Sequence, residues 1–470
     1  MPILDYNNFY LVGIKGVAMT ALAQLLIDAK KNVFGCDLAE AFVTQKILDT
    51  LKIKIDTGFE QTLPQNIECV IYTAAHNGEF NPVVIAAKKQ NIPVFSHAQA
   101  QADLCNQKKG IAVCGVGGKS TVSAMISWIF QKTNQNPSFA VGVGNIPGLE
   151  KTAQWHQDSE YFIVEADEYV TDPSAPKRNE AITPRFSFLY PHITVCTNLQ
   201  FDHPDVYEDF EHTKAVFYTF FKQIDPKGTL LLNYADLVHV PVTSAKRIIT
   251  FGKNNAADFS YTFSTDEQKP GITTATVHHE EKEYLLELLL PGEFNIQNAV
   301  AAIAASFSAE IPIQESITAL QSFNSTQRRF EKCGVKNQVI YYDDYAHHPN
   351  EVKSVIAALN SWYKTERKII VFQPHTYSRT KQLLHEFIHS FKNAQEVYLL
   401  DIFASARESF DASITSTDIA AGIKRNYPHI LVENLHTINK LALFLKEHTQ
   451  PGTVVLTLGA GDIYKVHDKI

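Results

Sequence analysis

Residues 109–130 read KGIAVCGVGGKSTVSAMISWIF and contain three kinds of sequence in succession. The apolar residues 111–114 predict a short buried strand, and the glycine-rich residues 115–118 predict a turn. From Lys119 onward, apolar residues recur at the spacing of a helix. A strand, a glycine-rich turn and a helix in this order are typical of a phosphate-binding loop, because backbone N–H groups and the helix N-terminus converge there on an anion.

The residues after the turn supply the side chains that a nucleotide triphosphate requires. The Lys119 ammonium can reach the β- and γ-phosphates, and the Ser120 hydroxyl is a ligand for Mg²⁺. The usual eight-residue loop has glycine where this chain has Val113, so this is a shortened form, G-x-x-G-K-S-T. We expect a triphosphate site here rather than a glycine-rich turn with an incidental lysine. The expected contacts are Gly115, Val116, Gly117, Gly118, Lys119, Ser120 and Thr121.

Length and composition indicate an ordinary globular protein of several domains. A chain of 470 residues is too long for one core. The net charge is −8 and Lys and Arg do not cluster densely, so we expect no nucleic-acid partner. No apolar run has the length of a bilayer span and the N-terminus lacks a signal pattern, so we expect a cytoplasmic protein without a membrane partner. The six cysteines lack C-x-x-C spacing and are expected to be reduced core thiols.

The first hundred residues alternate strands and helices. Residues 8–12 predict a strand, residues 20–29 a helix and residues 32–36 a second strand that ends at Asp37, as in a Rossmann-like unit. A dinucleotide fingerprint needs glycine at the position of Lys15. Because a lysine can itself meet a phosphate, a phosphorylated ligand such as a nucleotide sugar is favoured over NAD. The alternative is a plain turn with an exposed lysine.

Two further apolar strands end in charged residues. The strand predicted at 161–164 precedes EADE (165–168), and the strand at 193–196 precedes TNLQFDH (197–203). Carboxylates and a histidine at strand ends beside a phosphate loop are typical of a Mg²⁺ site, although a solvated acidic loop is the alternative. Asn295 near the helix predicted at 299–308 either caps that helix or contacts an adenine edge.

The last part of the chain again predicts strands that alternate with helices, including a helix over residues 378–391. Polar clusters follow three of its strands, where ligands bind to an open sheet: DDYAHHP (343–349), QPHTYSR (373–379) and GAGD (459–462). We therefore expect an α/β protein of three domains. These are a Rossmann-like N-terminal domain over residues 1–105, a central P-loop ATPase domain over 106–323 and a Rossmann-like C-terminal domain over 324–470.

Eight motifs taken together resemble the Mur ligase family over nearly the whole chain. They are GVGGKST, EADE, TNLQFDH, FNIQN, QRRFE, DDYAHHPNE, FQPHTYSRT and GAGDI, in this order. The resemblance implies domains for a UDP-sugar, for ATP and for an amino acid. It implies an ATP-dependent ligase that joins L-alanine to the carboxylate of UDP-N-acetylmuramate through an acyl phosphate, in peptidoglycan precursor synthesis, as a monomer or homodimer. FQPHTYSRT favours L-alanine over a preformed wall peptide, the substrate of a sibling recycling ligase.

The resemblance also implies residue roles. The implied catalytic residues are Lys119, His203, His347 and Arg379. The implied ATP contacts outside the loop are Asn295, Arg329 and Asp344. Ser120 with Glu165 is implied to hold the magnesium of ATP, and His203 a second magnesium. The implied UDP-sugar contacts are Gly13, Lys15, Gly16, Asp37 and Thr73. The implied amino-acid contacts are Tyr345, His347 and Arg379. Residues 169–185, rich in proline and charge, predict a loop over the mouth of the site.

Two functions outside the ligases remain open. An NAD-dependent oxidoreductase would rest on the two Rossmann-like units, but Lys15 and the phosphate loop count against it. A catalytically silent nucleotide-binding protein of the same fold is the second alternative. The presence of Lys119, Glu165, His203 and Asp344 counts against that alternative.

Overall fold

The computed structural model describes residues 1–60, 62–240, 247–404 and 409–470. The chain forms three sheets in succession, which we call the N-terminal, central and C-terminal units, with strands between residues 8–96, 109–288 and 331–458. The expected α/β class with three sheets is confirmed. The boundaries 1–105, 106–323 and 324–470 stay predictions. None of the helices formed by the described residues combines the length and the hydropathy that crossing a bilayer requires.

The N-terminal unit is a parallel sheet with the strand order β3-β2-β1-β4-β5. Its strands are β1 (Asn8–Val12), β2 (Asn32–Asp37), β3 (Lys54–Thr57), β4 (Cys69–Tyr72) and β5 (Val94–Ser96). Its helices are α1 (Val17–Asp28), α2 (Gln45–Leu51), α3 (Pro82–Lys89) and α4 (His97–Cys105). Asn81 and Ser96 begin α3 and α4, because their side chains accept the orphan N–H groups of Val83 and Gln99.

The central unit has ten strands in the order β15-β14-β13-β12-β11-β10-β6-β9-β7-β8. Its strands are β6 (Lys109–Cys114), β7 (Ser138–Ala140), β8 (Ala153–Gln154), β9 (Tyr161–Glu165), β10 (Ile193–Cys196), β11 (Thr229–Asn233), β12 (Arg247–Gly252), β13 (Phe259–Thr262), β14 (Thr273–His279) and β15 (Lys282–Leu288). Its helices are α5 (Lys119–Lys132), α6 (Phe210–Phe221), α7 (Glu293–Ser308) and α8 (Ile313–Leu320). Strand β6 pairs in parallel with β9 and β10, so the residues after these three strands meet at one edge.

The C-terminal unit has six strands in the order β16-β17-β21-β18-β19-β20. Its strands are β16 (Glu331–Lys336), β17 (Val339–Asp344), β18 (Lys368–Phe372), β19 (Glu396–Leu400), β20 (Leu431–His436) and β21 (Val454–Leu458). Its helices are α9 (Pro349–Trp362), α10 (Tyr377–Gln382), α11 (Leu384–Ser390), α12 (Ser416–Asn426) and α13 (Ile438–His448). The single helix predicted over residues 378–391 is wrong, because Leu383 leaves the helical conformation and separates α10 from α11.

Buried contacts join the three units. Residues of α1 and of β9 belong to one apolar core, and the Gln24 amide donates a buried hydrogen bond of 2.9 Å to the Thr152 hydroxyl. The indole N–H of Trp362, in the C-terminal unit, donates to the Thr273 hydroxyl of the central unit at 2.9 Å. These contacts hold the sheets around the edge that carries the phosphate loop.

Arg328 connects the end of the central unit to the C-terminal sheet. Its guanidinium Nε donates to Asp343 at 2.8 Å, and a terminal nitrogen donates to the Gly461 carbonyl at 3.0 Å. The rings of Tyr345 and Tyr464 flank the guanidinium, with centroids 5.1 and 4.6 Å away. Arg328 is buried, so it holds this loop in place next to the candidate site.

We predict that Arg328→Met lowers the free energy of unfolding of the C-terminal unit by about 3–5 kcal/mol, because the buried Asp343 carboxylate loses its cation. Urea unfolding followed by circular dichroism measures the loss. Arg367→Met is the matched control, since Arg367 pairs with Glu396 nearer the surface and should change stability by less than about 1 kcal/mol. Equal losses in the two variants would contradict the role of Arg328.

Candidate active site

The phosphate loop follows β6 and requires its glycines. Gly115 and Gly118 have φ angles of +118° and +85°, which are sterically unfavourable for residues that carry a Cβ atom. A Cβ on Gly115 would lie 2.2 Å from the Thr197 hydroxyl. The Asn198 side-chain oxygen accepts the N–H groups of Val116 and Gly117 at 3.1 and 3.2 Å. The loop thus already binds a polar oxygen from the end of β10, a contact that the sequence did not single out.

Lys119 opens α5 and pairs with the last carboxylate of EADE. Its ammonium donates to Glu168 at 2.8 and 3.0 Å and to the Gly115 carbonyl at 2.8 Å. Burial opposes the charge of Lys119, but the carboxylates of Glu168, Asp167 and Glu165 together outweigh burial and raise the lysine pKa. Glu168 is only 1% exposed. Its charge is therefore balanced by the residue that was expected to meet the phosphates.

Ser120 lies against Glu165 at the end of β9. The Ser120 hydroxyl donates to Glu165 at 3.1 Å, and the Gly142 N–H donates to its other oxygen at 2.7 Å. Burial raises the pKa of Glu165. The structure thus brings Ser120 and Glu165 together.

His203 belongs to a different group of side chains. Asp167, Glu168 and His203 each place one possible ligand atom within 4.8 Å of the other two. The His203 Nε2 atom lies 3.6 Å from the Glu168 carboxylate. Sequence reasoning named His203 but did not name Asp167 or Glu168 as candidate ligands, although the acidic run EADE was the available signal. Two carboxylates and an imidazole form a donor set suited to a divalent cation.

Arg379 reaches across from α10 to the central unit. Its guanidinium donates twice to the Asp202 carboxylate, at 2.9 and 3.1 Å. The two residues are 5% and 4% exposed. Burial alone would raise the pKa of Asp202, but His203 and Arg379 lower it well below its usual range. Arg379, implied by the resemblance to contact the amino acid, is therefore paired in this structure with a carboxylate of the chain itself.

Glu351, at the start of α9, organises the DDYAHHP segment. Its carboxylate accepts the N–H groups of His347 and His348 at 3.1 and 3.2 Å and lies 3.7 Å from the Arg329 guanidinium. Burial lowers the pKa of His347 to about 4, and burial raises the pKa of Asp344 to about 7. Sequence reasoning had not singled out Glu351, because its N-terminal position in a helix also fits a capping role.

Two cavities flank the phosphate loop. The first, of about 430 Å³, is lined by all three units. Of the expected residues it brings together Val116, Gly118, Lys119, Ser120, Glu165, His203, Arg329, Tyr345, His347 and Arg379. The second, of about 550 Å³, lies between the central and C-terminal units. It is lined by Val116, Gly117, Gly118, Thr121, Asn295, Arg329 and Asp344.

The structure does not support the alternative in which Asn295 caps a helix that begins near residue 299. The helix begins at Glu293 rather than near residue 299, with Gly292 as its N-cap. The Asn295 amide is buried and donates to the Pro291 carbonyl at 2.8 Å. Asn295 lines the second cavity.

The five residues expected at the UDP-sugar do not line these cavities. Lys15 is buried, and its ammonium donates to the carbonyls of Leu38 and Glu40 at 2.6 and 2.8 Å, so it is not the exposed lysine of a plain turn. Asp37 accepts the backbone N–H of Lys15 at 2.7 Å. Gly13 and Gly16 lie in the turn between β1 and α1, and Thr73, directly after β4, lies against this turn, because a Cβ on Gly13 would be 2.4 Å from the Thr73 methyl carbon. A third cavity of about 660 Å³ lies nearby, between Leu38, Phe59 and His76 among others.

The segment over residues 169–185 reaches from the site to the N-terminal unit. The Tyr169 hydroxyl donates to Asp205 at 2.7 Å, and Tyr169 and Arg185 line the first cavity. The Arg178 guanidinium lies over the Phe80 ring, 4.8 Å from its centroid. This segment therefore borders the cavity and bridges two units.

His97 lines the first cavity from the N-terminal unit, with its Nε2 atom 3.1 Å from the Ala18 carbonyl. Burial, aided by the charge of Arg185, lowers the pKa of His97 to about 4. An unfolded histidine titrates near pH 6.5 and therefore binds a proton that the folded state excludes. The contribution of neutral His97 to the free energy of unfolding is therefore fully present above pH 6.5 and is lost as the pH falls toward 4.

We predict that the free energy of unfolding falls by about 3 kcal/mol less in His97→Gln than in the wild type when the pH is lowered from 7.5 to 4. The reason is that glutamine keeps an N–H donor for the Ala18 carbonyl but takes up no proton. Urea unfolding at intervals between pH 4 and pH 7.5 measures both proteins. Parallel stability profiles of variant and wild type over this range would refute the prediction.

Comparisons with known proteins agree along the whole chain. Residues 8–109 match the model "Mur ligase family, catalytic domain", residues 113–306 the Mur ligase middle domain, and residues 328–461 the "Mur ligase, glutamate ligase domain". The UDP-N-acetylmuramate–L-alanine ligase of Desulfitobacterium hafniense is 34% identical over 460 residues, which cover 98% of each chain.

Solved structures show the same fold. The UDP-N-acetylmuramate-alanine ligase of Thermotoga maritima superposes with a TM-score of 0.78 at 22% identity, over 98% of this chain and 97% of that one. A murein peptide ligase of Psychrobacter arcticus gives a TM-score of 0.70 at 18% identity, with the same coverage. Three family models match the chain in succession, and a relative that is one-third identical covers almost its full length. The fold is shared as well, and the chain therefore belongs to the Mur ligase family.

Proposed function

We propose that this chain is an ATP-dependent ligase that joins L-alanine to the carboxylate of UDP-N-acetylmuramate. The observation that carries the proposal is the first cavity, where the phosphate loop, a group of cation ligands and the Arg379 segment face one another. Relatives that cover the whole chain carry the name of this reaction. Because both substrates are metabolites of the cytoplasm, the proposal places the chain there.

The reaction needs activation of a carboxylate, because a carboxylate and an amine do not condense in water. A carboxylate oxygen of UDP-N-acetylmuramate attacks the γ-phosphorus of ATP, and the bond to ADP breaks. The amine of L-alanine then attacks the acyl carbon, phosphate leaves and the nitrogen loses a proton. No nucleophile of the enzyme is required, so positioning and neutralisation of charge supply the catalysis.

The residues around the loop have distinct proposed roles. Lys119 exchanges Glu168 for the β- and γ-phosphates, since both partners are anions. The loop from Gly115 to Thr121 cradles the phosphates, and Asn295, Arg329 and Asp344 face the rest of ATP in the second cavity. Tyr345, His347 and Arg379 face the amino-acid end of the first cavity.

Two groups of side chains are proposed to hold Mg²⁺. Asp167, Glu168 and His203 form one, and Ser120 with Glu165 forms the other. Their oxygen-rich donor sets fit this ion. Magnesium bound there neutralises phosphate charge.

The UDP part is proposed to bind at the carboxyl edge of the N-terminal sheet, near Gly13, Gly16 and Thr73. Lys15 and Asp37 support this site by holding the turn after β2, because their polar groups are already bonded within the unit. The third cavity beside this turn supports the location.

Phosphate release from ATP tests the reaction and the acceptor together. With UDP-N-acetylmuramate present, we predict release with L-alanine and little with glycine, L-serine or the wall tripeptide. Lys119→Ala should slow release by at least about 10²–10³-fold through loss of charge stabilisation. It should still bind UDP-N-acetylmuramate, because the UDP part is proposed to bind to the N-terminal unit whereas Lys119 belongs to the central unit.

Other outcomes of this assay are equally informative. Release only with the tripeptide would assign the chain to the peptide-adding branch, to which the murein peptide ligase belongs by its name. ATP binding without release for any acceptor would indicate a silent nucleotide-binding protein.

Manganese binding, measured by electron paramagnetic resonance with ATP present, tests the cation ligands. Glu168→Gln should weaken binding by about tenfold or more, because one anionic ligand of a three-residue group is lost. Glu160→Gln is the matched control, since Glu160 immediately precedes β9 and pairs at the surface with Lys109. If Glu168→Gln binds Mn²⁺ as tightly as this control, Glu168 is not a ligand.

A further inference from the structure

Helix α11 carries two histidines one turn apart, outside the site described above. Residues 385–389 read HEFIH, and the spacing of four places His385 and His389 on one face of the helix. Their Nε2 atoms lie 3.0 Å apart. His385 is exposed and His389 is half-buried, so the pair lies at the surface of the C-terminal unit.

The orientation of His389 is set from the neighbouring helix. The Tyr427 hydroxyl, at the end of α12, lies 2.5 Å from the Nδ1 atom of His389. Helix α12 approaches α11 closely because Gly422 has no side chain, and a Cβ there would lie 2.1 Å from Ile388. With Nδ1 engaged by Tyr427, Nε2 is the nitrogen of His389 that faces His385. A hydrogen-bonded second ring nitrogen is typical of metal-binding histidines.

We propose that His385 and His389 bind a divalent first-row transition metal, with Cu²⁺ and Ni²⁺ preferred over Zn²⁺. At a metal–nitrogen distance of about 2.1 Å, nitrogens 3.0 Å apart subtend about 90° at the metal. Tetrahedral Zn²⁺ would need a separation of about 3.4 Å. Angles near 90° belong to the square-planar and octahedral geometries of Cu²⁺ and Ni²⁺, and water completes the coordination.

The pair is a binding site, separate from the reaction. Neither histidine lines the three cavities, so the proposal does not depend on the proposed ligase function. The sequence H-E-x-x-H on a helix is also the pattern of zinc peptidases. Those enzymes bind Zn²⁺ through three protein ligands, whereas the groups of three or more ligands found among the described residues do not include His385 or His389.

Calorimetric titration of the full chain with Cu²⁺, Ni²⁺ or Zn²⁺ alone, in excess Mg²⁺, tests the site. The wild type should bind one equivalent of Cu²⁺ or Ni²⁺ at the histidine pair. In His385→Gln and in His389→Gln this equivalent should be absent or bound about tenfold or more weakly. Tyr427→Phe keeps the ring and should weaken the same equivalent by a smaller factor. Any metal bound at His203 is common to all variants and cancels in the comparison.

His448→Gln is the matched control, because His448 is also an exposed histidine near a helix end and its Nδ1 atom contacts the Phe444 carbonyl. It should bind all equivalents with wild-type affinity. An unchanged circular dichroism spectrum and urea unfolding midpoint in His385→Gln verify that this variant is folded. Wild-type Cu²⁺ and Ni²⁺ binding in both His385→Gln and His389→Gln would overturn the site, and tighter binding of Zn²⁺ than of Ni²⁺ would overturn the 90° geometry.

Discussion

The ion pair between Arg379 and Asp202 is the contact on which the assembled site depends. Both side chains are almost inaccessible to water, so each charge is stable there only while the other is present. Arg379 belongs to the C-terminal unit and Asp202 to the central unit, and this requirement therefore holds one unit against the other. His203 follows Asp202 directly, so the same contact places its imidazole beside the carboxylate of Glu168.

Charges of both signs are concentrated around the phosphate loop, and each has a partner within the chain. Lys119 pairs with Glu168, and Arg329 lies near Glu351. The N–H groups of the loop meet the Asn198 oxygen. Under the proposed function, a triphosphate in the loop would compete with these carboxylate and amide oxygens for the same donors, and the proposed Mg²⁺ would compensate the carboxylates that are released. These internal contacts therefore involve the same side chains and loop N–H groups that the proposed function assigns to the substrates.

The two groups of side chains proposed to bind metal arise at different levels of structure. His385 and His389 are four residues apart, so the helical repeat alone brings them together, and tertiary packing adds only the Tyr427 hydroxyl. Asp167, Glu168 and His203 come from the ends of two strands on opposite sides of β6. Their assembly requires the order of strands in the central sheet. The first group depends on one helix and the second on a whole unit.

The sequence by itself determined the phosphate loop, because strand, glycine turn and helix are local patterns, and Gly115 and Gly118 have the positive φ angles that only glycine adopts easily. It also determined the three alternating α/β units, since hydrophobic periodicity reports burial along short segments. Only the tertiary structure decided that Arg379 pairs with Asp202, 177 residues away, and that the Lys15 ammonium turns to the carbonyls of residues 38–40. The physical reason is that a side chain's partner depends on which distant segments the sheet order brings together, and local periodicity carries no record of that order.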